Sequence, residues 1–230
     1  MNLWGDGMPL LPESFWRERF MVWAKFEKMK LFSDEVWMRP EARIVRIGSM
    51  NTFNSKGERT NAVIVIQNPG SRPISEVTLG QWTQAKPDQT QLQLMRLMEI
   101  MGWNELVIVN LSDLCEGDNI EFLALLKRCE IAGVVHSRFT DNPMSEWSSV
   151  IASADRLLYG WGGKKEAQVM ANAYGLLDLK EMFTIHKKHT IAVWHPVKGY
   201  PKHPNPWRPA WCEEWCEDMV RELEVSVVAK

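Results

Sequence analysis

Apolar and polar positions fall in blocks along the chain, and the blocks differ in period. Residues 12 to 32 carry apolar side chains at Phe15, Trp16, Phe20, Val22, Trp23, Phe26 and Met29, a helical spacing that predicts one amphipathic helix. "ARIVRIGS" then alternates like a strand, and residues 50 to 60 are polar and loop-like. "AVIVIQ", "ELVIVN", "RLLYGW" and "HTIAVW" are short and apolar nearly throughout, the pattern of strands buried on both faces. Helical spacing separates them. It appears in "DQTQLQLMRLMEIMGW", where Asp88 is an N-cap candidate, and in "DNIEFLALLKRC", capped by Asp118 or Asn119. "PMSEWSSVIASA", "GKKEAQVMANAYGLLDL" and a last helix with Pro209 in its first turn complete the set. Residues 71 to 87 read as a long loop rich in Pro, Gly and Ser.

Strands that alternate with helices predict an α/β fold. The expectation is a mainly parallel four-stranded sheet flanked by helices, an α/β/α sandwich, with an extra N-terminal helix. Residues 1–45 read as a helical extension packed on the core, and 46–230 as the α/β domain.

Ligands of open parallel sheets bind beyond the carboxyl ends of the strands. Here those ends read Gln67-Asn68-Pro69-Gly70-Ser71, then Asn110-Leu111-Ser112-Asp113, then Trp161-Gly162-Gly163, then Trp194-His195-Pro196 followed by "VKGYPKHPNPW". Each piece alone is ordinary turn or cap chemistry. Together they place two carboxamides, an aromatic ring and a pair of histidines on one sheet edge. No phosphate-binding Gly-Lys-Ser/Thr loop, dinucleotide fingerprint or nucleophile elbow is present in the sequence.

Composition narrows the setting. The chain of 230 residues is 45% hydrophobic and 24% charged, ordinary for a globular domain. No apolar run approaches the roughly 20 residues of a membrane span. Asp6 and Glu13 stand near the N-terminus without a basic leader, and four cysteines are too few for a disulfide scaffold, so a cytoplasmic setting is expected. The net charge is −2, but Met182 to Cys212 holds Lys187, Lys188, Lys198, Lys202 and Arg208 and no carboxylate. That stretch reads either as a phosphate-facing edge or as a solvated face balanced by the acidic helix behind it. The cysteine spacing suits four separate thiols better than a metal site, and no cofactor is expected.

The ordered motifs resemble the uracil-DNA glycosylase superfamily over about residues 60 to 207. Gln67-Asn68-Pro69-Gly70 resembles the G-I-N-P-G signature of the mismatch-specific uracil/thymine branch, with Gln67 in place of Ile. His203-Pro204-Asn205-Pro206 resembles the H-P-S-P motif of other branches, and Trp161-Gly162 their Trp-Gly segment. A closer likeness is to the bacterial domain-of-unknown-function-1643 family, through Asn68-Pro69-Gly70-Ser71, Asp88-Gln89-Thr90, Val109-Asn110-Leu111, Trp161-Gly162 and the run Val197 to Pro204. The resemblance implies a monofunctional DNA glycosylase that takes a flipped pyrimidine from single- or double-stranded DNA and leaves an abasic site, in repair or in antiviral defence.

Roles follow for the candidate residues. By resemblance, Asn68 holds the attacking water. A carboxamide both donates and accepts, so Asn110 can read a base edge. His203 or His195 donates a hydrogen bond to the departing base. His203 is preferred, because it lies in the H-P-x-P pattern within a proline-restrained loop, and it is expected to be neutral because nearby cations lower its pKa. Trp161 or Trp82 can stack on the base. Asp88 is a helix cap or a carboxylate that assists water. Gln67, Gly70, Ser71 and Gly162 complete the base pocket, with backbone N–H groups of Ser71, Gly163 and Gly199 able to meet phosphates. Lys198, Lys202 and Arg208 are the expected DNA contacts. The motif lacks the Asp of the most active uracil enzymes, which suits a modified, bulky pyrimidine as well as uracil. Two other readings are a non-catalytic nucleic-acid or nucleotide-binding module and a nucleoside or nucleotide hydrolase.

Overall fold

The computed structural model describes residues 11–49, 60–70, 72–73, 76–141, 154–177, 190–206 and 208–228. Seven strands are described: β1 (Phe20–Leu31), β2 (Asp34–Arg46), β3 (Thr60–Ile66), β4 (Trp82–Ala85), β5 (Glu105–Asn110), β6 (Ala154–Tyr159) and β7 (Thr190–Ile191). The described helices are α1 (Glu13–Arg17), α2 (Gln89–Met101), α3 (Asn119–Ala132), α4 (Arg138–Asp141), α5 (Lys165–Ala173) and α6 (Pro209–Val228).

The class is α/β, but the sheet is not the expected four-stranded one. It is a seven-stranded mixed sheet in the order β4-β1-β2-β5-β3-β6-β7. β5, β3, β6 and β7 pair in parallel, and β4, β1, β2 and β5 pair antiparallel. β3 is apolar from Ala62 to Ile66 because both its faces are covered. Ala62, Ile64 and Ile66 face one core with α2 and α6, while Val63 and Val65 face the other with α3 and α5. Helices therefore lie on both sides of the sheet.

The N-terminal expectation is corrected. Helix is confined to Glu13–Arg17, and the residues after it form a hairpin whose strands lie inside the sheet. Phe20, Val22, Ala24 and Phe26 are buried and the residues between them are half-buried, which is strand spacing. The predicted loop 71–87 also supplies a strand, β4, which pairs with β1. The last predicted strand is shorter than "HTIAVW": only Thr190–Ile191 pairs with β6, and Trp194 bridges Pro201. The predicted helix "PMSEWSSVIASA" falls largely outside the described residues.

Candidate functional site

The carboxyl ends of the parallel strands enclose a cavity of about 570 Å³. β3 contributes Ile66, Gln67, Asn68 and Gly70, and the chain beyond β5 contributes Glu116 and Gly117. Trp161 to Lys164 follow β6, Asp88 to Thr90 start α2, and His203 and Asn205 come from the loop before α6. The start of α5 follows Lys164 directly, so two helix N-termini border one space, a setting that favours negative charge.

The turn after β3 is zipped to the turn after β5. Asn68 Nδ2 donates to the Glu116 carbonyl at 2.6 Å and to the Pro69 carbonyl at 3.1 Å. The Glu116 N–H donates back to the Pro69 carbonyl at 3.2 Å. Gly117 lies so close to Gly70 that a Cβ would stand 2.5 Å from the Gly70 oxygen. With both amide protons of Asn68 committed to carbonyls, the amide oxygen is its remaining group, a pure acceptor.

The histidine loop is fixed as firmly. Residues 193–202 double back on themselves, with Lys202 N–H on the Val193 carbonyl and His195 N–H on the Tyr200 carbonyl. This hairpin packs on the turn after β6. A Cβ on Gly163 would meet the Tyr200 ring at 2.4 Å, and Gly162 donates its N–H to the Pro201 carbonyl. His203 Nδ1 lies 3.1 Å from the Asn205 N–H and 3.2 Å from the Asn205 carbonyl, so the ring is held by one residue in either tautomer; in the tautomer that accepts the N–H, Nε2 carries the proton. Burial lowers the pKa of His203, the Asn205 carbonyl and Asp88 oppose the shift, and Lys164 adds a smaller lowering. The shift has the expected direction, but desolvation is its first cause, and the cation that contributes is Lys164. Asn205 is itself held through its Oδ1, which accepts from the Cys212 thiol at 3.5 Å.

Asp88 has both roles open to it in the sequence. Its Oδ1 accepts the Gln91 N–H at 2.8 Å in a reciprocal capping box, and its Oδ2 lies 3.9 Å from the buried Arg39 guanidinium. It also lines the cavity. Gln67 is 6% exposed and Trp161 1%, and the Nε2 of the first and the Nε1 of the second have no partner. These are two buried donors at the border of one cavity, each in want of an acceptor.

Several predicted residues stand elsewhere. Asn110 is fully buried, donates to the Arg39 carbonyl at 3.2 Å and does not line the cavity, so it supports the sheet end from beneath. His195 lines an adjoining cavity of about 460 Å³ with Tyr200, Lys202, Trp211 and Glu214. Its Nδ1 accepts the Val197 and Lys198 N–H groups, the work of a turn. His203, Gly162 and Gly163 form the wall that the two cavities share. Trp161 packs against Tyr159 at 4.5 Å and is 1% exposed, so it presents no open ring face on which a base could stack. Trp82 lies on edge strand β4, its ring under Lys25 and Arg43. Lys202 is tied back to Glu214 at 3.1 Å and Asp218 at 3.5 Å, and Arg208 is laid over the Trp211 ring. Lys198 is exposed. Ser71 lies outside the described residues.

Glu116, Lys164 and Asn205 line the cavity without having been singled out from the sequence. All four thiols are buried and unpaired, and burial pushes Cys115 and Cys216 up to about 12. Among the described residues no group of three or more His, Cys, Asp or Glu is placed to hold a metal ion, and no helix is long and apolar enough to cross a membrane. Compared with family models, with curated proteins and with solved structures, the chain matches none.

Proposed function

We propose that this protein hydrolyses the N-glycosidic bond of a pyrimidine nucleotide flipped out of DNA, with strand-end motifs that resemble those of uracil-DNA glycosylases. The observation that carries the reading is the pairing in one cavity of a carboxamide and an imidazole, each held by its own hydrogen bonds. Breaking a base–deoxyribose bond builds positive charge on the sugar and negative charge on the base. Asn68 Oδ1 is an acceptor that can hold water below the sugar. His203 Nε2–H is a donor for the oxygen of the base that gains charge. Neutral imidazole suits this task, because it retains an N–H to share without a full charge to desolvate. DNA is the proposed partner.

The test is incubation with duplex and single-stranded DNAs carrying uracil or 5-substituted pyrimidines, read as abasic sites and as free base. Base release is expected from at least one of them. Asn68→Ala is expected to lower single-turnover release by about 100-fold or more while the variant stays folded. Activity within about tenfold of wild type removes Asn68 from the water-holding role. Cleavage of free nucleosides alone redirects the reading to a nucleoside hydrolase, and retention of DNA without turnover to a binding module.

A further inference from the structure

Asn68 can orient water but cannot take its proton, because a carboxamide is not a base at neutral pH. Two carboxylates line the same cavity, those of Asp88 and Glu116. We infer that Glu116 is the proton acceptor of the site, an inference that rests on the N-glycosidic reading above.

The geometry separates the two candidates. Asp88 is committed on both oxygens, one to the α2 cap and the other toward the buried Arg39. Glu116 is committed on one: its Oε1 accepts the Asp118 N–H at 3.0 Å. Among the described residues its Oε2 pairs with Arg72, at 3.5 Å, and that guanidinium is 61% exposed. The Glu116 side chain itself is 18% exposed, so it is sheltered without being sealed from the cavity. Its backbone is bound to Asn68 and Pro69 by two hydrogen bonds, and Gly117 presses on Gly70. The residue whose backbone fixes the Asn68 carboxamide thus lines the same space and bears a carboxylate. A Cβ at position 117 would push these two turns apart.

The step balances without a cofactor. A water held at Asn68 Oδ1 bonds through its oxygen to the anomeric carbon and gives one proton to Glu116. The carbon–nitrogen electron pair leaves with the base, whose developing charge is met by the His203 N–H. The base then takes a proton, Glu116 returns its own to solvent, and the products are abasic sugar and free base. Before the proton moves, the Glu116 charge also stabilises the cationic sugar.

Two measurements test this. The first needs no turnover. Duplexes with a pyrrolidine abasic analogue, which is cationic, and with a neutral tetrahydrofuran analogue are compared for binding by fluorescence anisotropy. Wild type is expected to prefer the cation by about tenfold, and Glu116→Gln to lose that preference while keeping its affinity for tetrahydrofuran DNA and its urea midpoint. A wild type without preference, or a glutamine variant that keeps it, overturns the inference. The second is base release. Glu116→Gln is expected to lose about 100-fold or more in single-turnover rate, and more than Asp88→Asn. Glu116→Ala is expected to regain rate with added formate, whereas Asn68→Ala is not. A larger loss from Asp88→Asn overturns the assignment. If no DNA releases base but the cation preference depends on Glu116, the hydrolytic reading fails and the placement of the carboxylate against the sugar stands. If wild type binds neither duplex, both fall.

Discussion

His203 and His136 are both held below the ordinary histidine pKa, in each case by burial first. A histidine whose folded pKa is depressed binds fewer protons folded than unfolded in the interval between the two values. Unfolding then takes up protons, so stability rises with pH across that interval. The penalty is absent above the unfolded value near 6.5 and grows as pH falls below it. Urea midpoints are therefore expected to decline from about pH 7.5 to 5.5, before carboxylate protonation matters. The double variant His136→Asn, His203→Asn is expected to decline less over the same range, and parallel declines remove the histidines as the cause. Base release should persist across that interval and weaken only at lower pH, where folded His203 takes up its proton. Residues of this kind were partly legible. Asn68 and His203 stood out because they sit in turns with restricted neighbours. Glu116 did not, because "CEGD" reads as a solvated loop until the approach of Gly117 to Gly70 is seen.

Among the elements, α2 joins stability to the site. Asp88 caps it through the Gln91 N–H, and Gln91 Oε1 accepts the Asp88 N–H in return. Asparagine caps as well as aspartate, and alanine does not. Asp88→Ala is expected to cost about 1 kcal/mol, and so to lower Tm by roughly 2–4 °C for a chain of this size. Asp88→Asn is expected to leave Tm near wild type. A drop in Tm equal for the two would assign the stabilisation to the charge beside Arg39 instead of the cap. The cap was visible in the sequence because its signal is local. The fate of residues 20–31 was not. Trp16, Phe20, Trp23 and Phe26 satisfy a helical period, while Phe20, Val22, Ala24 and Phe26 satisfy a strand period, so one stretch carried both. Pairing with β2 and β4 decided it: β2 returns after a two-residue turn that the helical spacing hid, and β4 lies in a segment read as loop. The buried strands β3, β5 and β6 were read correctly because an unbroken apolar run has few other places to go.

At the scale of the whole molecule, the added strands widen the sheet on the side away from β6 and β7, and the cavity stays with the parallel strands. The basic stripe, by contrast, changes meaning once folded. Of its two readings in the sequence, Lys202 follows the one in which the acidic helix behind it balances the charge. α6 sets Glu214 and Asp218 against Lys202, so one of the three expected DNA contacts is largely neutralised within the protein. Each phosphate contact contributes about 0.9 to the slope of log affinity against log salt on duplex DNA. Lys198→Gln and Arg208→Gln are each expected to flatten that slope by an amount of this size, measured by titration at several salt concentrations. Lys202→Gln is expected to leave the slope nearly unchanged and to lower stability by about 1 kcal/mol or less, as partly exposed ion pairs do. Its Trp215 indole contact is to the backbone carbonyl and survives the substitution. If Lys202→Gln flattens the slope as much as the other two, the lysine leaves its carboxylates on DNA, and the ion pairs belong to the free protein alone.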